Sequence, residues 1–191
     1  MGRNRDRRDN VPAMEVTIRR ARTTDVRAVR GLIDAYSRDG ILLDKPTVTL
    51  FESVQEFWVA ERDDNGAVVA CGALHVMWED LAEVRTLAVD PVVRGHGIGH
   101  LLLEKLVQTA RWLGVRRIFC LTFEVPFFAK HGFVEIGELQ ETDDGTTDPA
   151  AIATDVYEEL LRSYDEGVAE FLDLERVKPN TLGNSRMLLH L

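Results

Sequence analysis

The order of apolar and polar residues predicts a β-rich first half of the chain. Residues 15–20 alternate polar and apolar side chains, as an edge strand does. Residues 56–62 and 67–77 are rich in β-formers, and Asp63-Asp64-Asn65-Gly66 between them is a strong hairpin signal. Residues 81–89 form a third run of this kind. The last three runs therefore predict a set of antiparallel strands.

Two helices are predicted among these strands. Thr23-Thr24-Asp25 is a helix cap, and the apolar residues behind it recur at helical spacing. These residues are Val26, Val29, Ile33 and Tyr36. A second helical stretch is predicted over residues 47–55.

Helices and strands alternate in the second half of the chain. Residues 97–113 have a clear amphipathic period, and Gly114 breaks the pattern behind them. The other predicted elements are strands at 115–122 and 133–136, a short helix at 126–130, a helix at 155–164 and a closing strand at 187–191.

The 191 residues fit one domain of ordinary size. Residues 1–13 contain almost nothing apolar to bury, so we expect a disordered leader outside the fold. Residues 140–150 are expected to form a polar loop. Since no internal repeat or second domain is evident, residues 14–191 are predicted to form a single domain.

Composition is that of a soluble globular protein, with 45% hydrophobic and 29% charged residues. No apolar run approaches the roughly 20 residues of a membrane span, and no signal-peptide pattern opens the chain, so we expect a cytoplasmic protein. The net charge of −9 argues against a general nucleic-acid binder. The two cysteines, Cys71 and Cys120, lie in apolar runs and are expected to be buried free thiols rather than metal ligands.

The most informative segment is Arg94-Gly95-His96-Gly97-Ile98-Gly99, which joins a predicted strand to a long helix. Glycines let successive backbone N–H groups approach an anion, and the first turn of a helix has unsatisfied donors. Arg94 adds positive charge, so the segment is a candidate pyrophosphate site. Taken alone, it is about as consistent with a structural turn. A dinucleotide-binding Rossmann site fits poorly, because no following strand carries an acidic residue in the right context.

The same run resembles the acetyl-CoA motif of the GNAT acetyltransferase superfamily. The preceding Leu87-Ala88-Val89-Asp90-Pro91 is typical of that superfamily, as is Phe127-Phe128-Ala129-Lys130-His131-Gly132-Phe133 downstream. The three signals occur in the expected order within residues 81–136.

The resemblance implies an α/β (α+β) GNAT fold: a mixed, mainly antiparallel central sheet with a V-shaped split, flanked by helices. The split would lie between the strands at 81–89 and 115–122 and would hold the pantetheine arm. Acetyl-CoA is the implied co-substrate, with no metal. The implied cofactor-binding residues are Leu87, Ala88, Val89, Arg94, Gly95, His96, Gly97, Ile98 and Gly99, and the amide of Leu87 or a neighbour would stabilise the oxyanion.

Glu83 is the candidate catalytic base, because it lies four residues before Leu87, an offset that matches the catalytic glutamate of several GNAT enzymes. Strand alternation predicts Glu83, Arg85 and Leu87 on one face, with Val84, Thr86 and Ala88 on the other. The alternative is a surface glutamate paired with Arg85 or a neighbouring strand. Where many relatives carry a tyrosine as general acid this chain has Phe127 and Phe128, so the leaving thiolate would take its proton from water. His75 is expected to be structural.

Three further segments resemble bacterial N-acetylglutamate synthase, in the short form without a kinase-like domain. They are residues 40–45, 83–89 and 178–189. The resemblance implies acetyl transfer to the α-amino group of glutamate, the first step of arginine biosynthesis. At the positions of this chain that match the family's glutamate-binding segments, the implied substrate-binding residues are Leu42, Lys45, Arg85, Thr86, Ser185 and Arg186. Cations suit a dicarboxylate, although each alone is about as consistent with a solvated surface residue.

Other functions remain open from the sequence. A GNAT enzyme could act on glutamine, a protein N-terminus, a polyamine or an antibiotic, and a non-catalytic acetyl-CoA sensor is a different class. Arginine feedback cannot be inferred, since the kinase-like domain is absent. We expect a small-molecule partner and no nucleic acid or membrane. GNAT domains often dimerise, so a homodimer is one expectation for an oligomeric state that the sequence does not fix.

Overall fold

The computed structural model describes residues 14–136, 150–172, 174 and 183–191 of the chain. Within these ranges the strands are β1 (Val16–Arg20), β2 (Phe57–Arg62), β3 (Val68–Trp78), β4 (Leu81–Val89), β5 (Arg117–Thr122), β6 (Val134–Glu135) and β7 (Ser185–His190). The α-helices are α1 (Val26–Ser37), α2 (Thr47–Glu52), α3 (Ile98–Leu113), α4 (Val125–Ala129), α5 (Thr154–Leu160) and α6 (Glu166–Phe171).

The strands of the described chain form a seven-stranded sheet in the order β1-β2-β3-β4-β5-β7-β6. All neighbouring strands are antiparallel except β4 and β5, which are parallel. The predicted mixed, mainly antiparallel sheet with flanking helices is confirmed, and β1 lies at an edge as expected.

The parallel pair at the centre of the sheet is short. β4 and β5 are in register only from Leu81 with Arg117 to Glu83 with Phe119. Beyond Glu83 the two strands separate, so their edges line an opening in the middle of the sheet. This is the V-shaped split that the resemblance implied, and Glu83 lies at its apex.

A β-bulge at Thr86 changes which face of the sheet the following side chains of β4 occupy, and this corrects one prediction. Cys71 pairs with Ala88 and Ala73 with Arg85, so two residues of β4 lie opposite Gly72 alone. Thr86 has a φ of 57°, which is a strained conformation for a β-branched residue. The extra residue shifts the alternation by one, so the prediction that Leu87 shares a face with Glu83 is wrong.

Apolar packing on the two faces shows the shift directly. Leu87 packs with Leu102 and Leu106 of α3, on the face that also carries Val84. Ala88 instead packs in the cluster that joins α1 to the other face of the sheet. Glu83 lies on that second face, where α6 covers it.

Both faces of the sheet are covered by helices whose ends match their sequence signals. α3 begins after Gly97 and ends before Gly114, and both glycines adopt left-handed φ values that other residues avoid. Its buried side includes Leu102, Leu103 and Leu106. On the opposite face, α1 packs against β2, β3 and β4.

The predicted helix at 155–164 is wrong in its second half. α5 ends at Leu160, and a second helix, α6, follows at Glu166. Asp165 begins α6 as its N-cap and accepts a hydrogen bond from the amide of Val168 (3.2 Å). Likewise the predicted helix at 47–55 ends as α2 at Glu52, followed by a 3-10 turn.

Some predictions fall on parts of the chain outside the described residues. These are the leader at 1–13, all of the loop at 140–150 except Ala150, and residues 178–182 of the C-terminal motif. The single-domain boundary at residue 14 therefore stays a prediction. Across the described ranges, no helix has the length and apolar character needed to cross a bilayer.

Candidate active site

A pocket of about 840 Å³ occupies the opening between β4 and β5. Its walls come from β4, the turn into α3, the end of β5 with α4, the segment before α2, and the turn between α5 and α6. The predicted residues that line it are Leu42, Lys45, Glu83, Arg85, Thr86, Leu87, Ala88, Val89, Arg94, Gly95, Gly97, Ile98 and Gly99. One cavity thus joins the predicted phosphate site to the candidate base.

The turn into α3 has the geometry of an anion site. Gly95 and Gly97 adopt φ values of 85° and 79°, and Gly97 is the N-cap of a 16-residue helix. The first amides of such a helix lack intrahelical acceptors and carry partial positive charge. His96 does not line the pocket; its Nδ1 lies 3.1 Å from the carbonyl oxygen of Val93. His96 therefore contacts the backbone of the turn, and its implied role in binding the cofactor stays a prediction.

Arg94 is held at the pocket by Tyr36 of α1. Its Nε donates to the hydroxyl of Tyr36 (3.0 Å), and its guanidinium lies 4.9 Å from the centre of the tyrosine ring. The same hydroxyl donates to the carbonyl oxygen of Val89. The sequence placed Tyr36 only on the apolar side of a helix, so its polar role was missed.

Glu83 is buried at the apex of the opening, with 7% of its surface exposed. Its Oε2 accepts hydrogen bonds from Nε (2.9 Å) and Nη2 (2.5 Å) of Arg85. The pairing with Arg85 anticipated for a surface glutamate is therefore present, but the residue is inside the protein and lines the pocket. Burial raises the pKa of Glu83 even though Arg85 opposes that effect.

Arg85 is shared between two carboxylates. Besides Glu83, it donates from Nη1 to Oδ2 (3.0 Å) and from Nη2 to Oδ1 (2.8 Å) of Asp165. Burial would lower the pKa of Arg85, but Glu83 and Asp165 outweigh it and raise that pKa. Arg85 lines the pocket as predicted, although its charge is already balanced within the protein.

Lys45 is the other cation close to Glu83. Burial, followed by the nearby charge of Arg85, lowers the pKa of the Lys45 amine. Within the described ranges, no carboxylate lies within 4.0 Å of this amine. It is therefore a better candidate than Arg85 for binding an anionic group of a ligand.

The start of α6 packs directly on Glu83. A Cβ atom built on Gly167 would lie 1.9 Å from Oε2 of Glu83 and 2.8 Å from Nη2 of Arg85. Only a glycine lets the helix approach the carboxylate so closely. The sequence predicted neither α6 nor a role for Asp165, because residues 137–165 carry no recognisable motif and the nearest predicted helix ended at residue 164.

The C-terminal strand contributes a different residue from those predicted. Ser185 and Arg186 do not line the pocket: Ser185 donates to Glu135 (3.0 Å), and Arg186 donates to the carbonyl oxygen of Phe171 (2.5 Å). Asn184 does line it, and its Oδ1 is buried with no hydrogen-bond partner in the described chain. A buried acceptor of this kind is costly unless a ligand supplies a donor.

The residue pattern and the fold both match a known family. Residues 53–135 match the family model described as an acetyltransferase (GNAT) domain. An amino-acid acetyltransferase of Mycobacterium tuberculosis is 58% identical over 90% of this chain and 92% of its own length. The chain belongs to the GNAT acetyltransferase family.

Two solved structures have the same fold. One is Rv2747 from Mycobacterium tuberculosis in complex with CoA and NLQ, which is 57% identical, has a TM-score of 0.81, and is matched over 92% of this chain and 99% of that chain. The other is N-acetylglutamate synthase from Neisseria gonorrhoeae, complexed with coenzyme A and N-acetyl-glutamate. Its TM-score is 0.69 at 24% identity over 93% of this chain and 35% of that chain, so it supports the fold alone.

Acetyl-CoA is the co-substrate of this GNAT acetyltransferase. The glycine turn before α3 suits the pyrophosphate, and the opening between β4 and β5 leads from that turn to Glu83. No group of three or more potential metal-ligating side chains occurs among the described residues.

Proposed function

We propose that the protein transfers the acetyl group of acetyl-CoA to the α-amino group of free L-glutamate. The product would be N-acetyl-L-glutamate, formed in the first step of arginine biosynthesis. The observation that carries the proposal is the single cavity that joins the glycine turn to the buried Glu83, with Lys45 beside it. The 58% identity to an amino-acid acetyltransferase supports a free amino acid as the acceptor.

The reaction is direct attack of the amine on the thioester. Glu83, directly or through a water, removes a proton from the substrate ammonium, and its raised pKa suits that task. The free amine attacks the thioester carbonyl, and the amide of Leu87 or a neighbour stabilises the oxyanion. The nitrogen of the adduct loses its second proton to solvent, the C–S bond breaks, and the CoA thiolate that leaves takes a proton from water. Phe127 and Phe128 of α4 line this part of the pocket and provide no acidic proton.

Lys45 is the proposed partner of a substrate carboxylate. A bound carboxylate would compensate the charge of this partly buried amine. Arg85 and Thr86 line the same region, but Arg85 is already bound to Glu83 and Asp165. Asn184 offers an amide at the other wall of the cavity.

This charge arrangement makes glutamine the second candidate acceptor. Glutamine has one carboxylate, which Lys45 can bind, and a neutral amide that can pair with a polar group such as Asn184. Glutamate has two carboxylates, and the second would have to compete with Glu83 or Asp165 for Arg85. The two amino acids are therefore to be compared directly.

The first experiment measures release of the CoA thiol from acetyl-CoA with each of the twenty amino acids. Selective turnover of glutamate supports the proposal, and selective turnover of glutamine favours the second candidate. In either case, Lys45→Ala should raise KM for the amino acid by about 10-fold or more, the loss of one charged hydrogen bond. Lys130→Ala, at an exposed position outside the pocket lining, is the control.

One outcome of this experiment would contradict the proposal. If the protein binds acetyl-CoA but acetylates no free amino acid, the amino-acid proposal is wrong. The next acceptors to test are then peptides and polyamines.

A further inference from the structure

Five charged or titratable side chains form a connected series beside the pocket. Glu83 accepts two hydrogen bonds from Arg85, and Arg85 donates two more to Asp165. Asp165 in turn lies 3.7 Å from Nε2 of His75, whose Nδ1 is 2.9 Å from Oε1 of Glu56. The series begins inside the pocket and ends on the 3-10 turn before β2.

Asp165 is the central member, and its carboxylate is bound by groups from three elements. Oδ1 accepts from Nη2 of Arg85 on β4 (2.8 Å) and from the amide of Val168 on α6 (3.2 Å). Oδ2 accepts from Nη1 of Arg85 (3.0 Å) and faces His75 on β3. With its acceptor positions in use inside the protein, this carboxylate is poorly placed to bind the substrate itself.

The hydrogen bonds of the Arg85 guanidinium are therefore shared between Glu83 and Asp165. Without Asp165, its full charge and all of its donors would be directed at Glu83. A carboxylate that is paired only with an arginine is a weak base, because the charge pair stabilises its ionised form. A carboxylate that must accept a proton from an ammonium needs the opposite property.

We propose that Asp165 is a positioning residue that holds Arg85 between two carboxylates, so that Glu83 keeps the basicity needed to deprotonate the acceptor amine. The inference deepens the proposed function and depends on Glu83 acting as its base. Asp165 touches Arg85 rather than the reacting atoms, so its effect on catalysis is indirect.

The charged groups around Glu83 determine how strongly the loss of Asp165 changes the pKa of Glu83. Arg85 on β4 and Lys45 before α2 favour its ionised form, whereas Asp165 at the start of α6 disfavours it. His75 is the strand partner of Glu83 on β3, Glu56 lies behind His75, and the Cys120 thiol lies on β5. Burial would raise the pKa of Asp165, but Arg85 outweighs it and lowers that pKa to about 2, so Asp165 is ionised at neutral pH.

The test is Asp165→Asn, which removes the charge while keeping a good helix N-cap. The first readout is the titration of Glu83 in the enzyme without acceptor. It is monitored by NMR of 13C-labelled glutamate side chains, and the Glu83 signal is assigned by comparison with the Glu83→Gln variant. We expect the pKa of Glu83 to fall by about one pH unit, since Arg85 then serves Glu83 alone.

The second readout is the pH profile of kcat. Its acidic limb should move to lower pH by the same amount, and the plateau should fall about threefold, as expected for a weaker base. Glu56→Gln is the matched control: it also removes one negative charge, but it contacts His75 rather than Arg85. It should leave both readouts within a few tenths of a pH unit of the wild type.

Two outcomes would overturn the inference. One is a Glu83 titration that moves no further in Asp165→Asn than in Glu56→Gln. The other is a variant whose KM for the acceptor rises while the pH profile stays in place, which would mean that Asp165 binds substrate. Because the titration needs no acceptor, it gives a result even if the protein acetylates no amino acid, so failure of the inference is distinguishable from failure of the proposed function.

Discussion

Glu83 and Arg85 are two positions apart on one strand, and their chemistry is set by different neighbours. Glu83 is the last residue of β4 that pairs with β5, so its side chain lies where the sheet opens. Burial raises its pKa, although an arginine is bound to it. At this position a carboxylate can be kept basic inside the protein, which is the property a general base requires.

Replacing this carboxylate with an amide should abolish most of the activity. For Glu83→Gln we expect kcat to fall by about 10²- to 10⁴-fold, the usual contribution of a general base, while the affinity for CoA stays unchanged. Steady-state kinetics and calorimetric titration with CoA measure the two effects. Glu79→Gln, in the exposed turn between β3 and β4, is the control. Activity close to that of the wild type in Glu83→Gln would remove Glu83 from the mechanism.

The elements around the site contribute through how closely they pack. α6 is only six residues long, so its own hydrogen bonds stabilise it weakly. Its place is set by the packing of Val168 and Phe171 in the cluster under β5 and β7, by the bond from Arg186 to Phe171, and by Gly167 against Glu83. A short helix thus forms one wall of the site because tertiary contacts hold it there.

Gly167→Ala tests this contact, with Gly31→Ala as the matched control. A methyl group at position 167 would overlap the Glu83 carboxylate, so either this carboxylate, which Arg85 holds, or α6 must shift; we expect a loss of about 1–3 kcal/mol in the free energy of unfolding, together with a large loss of kcat. Gly31 lies in the middle of α1 with no atom within 4 Å of its would-be Cβ, so alanine there should stabilise the fold by about 0.5–1 kcal/mol. Urea unfolding measures both. Equal stability and activity in the two variants would contradict the packing at α6.

Across the whole molecule, the net charge of −9 opposes the binding of anionic ligands. Near the ligand this effect is opposed by Lys45 and Arg94, which line the pocket, whereas the charge of Arg85 is already balanced by Glu83 and Asp165. A second ion-pair cluster ties the edge of the sheet to the first helix: Asp25 accepts hydrogen bonds from Arg19 (2.7 and 3.0 Å) and from the amide of Arg22 (2.7 Å). The hydrogen bonds from Arg19, with that from Arg22, lower the pKa of Asp25 against the effect of burial.

The cluster at Asp25 predicts how stability depends on pH. A carboxyl whose pKa is lower in the folded state stabilises the protein above its unfolded pKa of about 3.8, and this contribution is lost as pH falls through the folded value. Asp25→Asn should therefore lower the free energy of unfolding by about 1–3 kcal/mol at pH 7 and pH 5, and this deficit should shrink progressively as pH falls below about 3.8.

Urea unfolding of both proteins at several pH values measures this difference. Asp34→Asn, at a partly exposed position of α1 where the described chain pairs it with Arg30, should show a small difference at every pH. A deficit in Asp25→Asn that stays constant down to pH 2.5 would mean that the charge of Asp25 does not contribute.

Most of the elements could be predicted because their signals are local. Runs of β-forming residues predict β2, β3 and β4, an amphipathic period with glycines at both ends predicts α3, and the glycine turn predicts the cofactor site. Each of these depends on residues adjacent in the chain, where steric preference and hydrogen bonding already decide the conformation. The family resemblance depends on the same contiguous motifs.

The remainder depends on contacts between residues far apart in the chain. Thr86 adopts a positive φ in a bulge that is defined by pairing with β3, and the bulge reverses the facing of the residues that follow, so that Leu87 packs on α3. Asp165 reaches Arg85 across 80 positions, Tyr36 reaches Arg94 across 58, and Gly167 meets Glu83 through a helix that has no sequence motif. Local chemistry therefore specifies the candidate acetyl-CoA site and the candidate base, whereas long-range packing, which no local pattern encodes, sets the environment of that base.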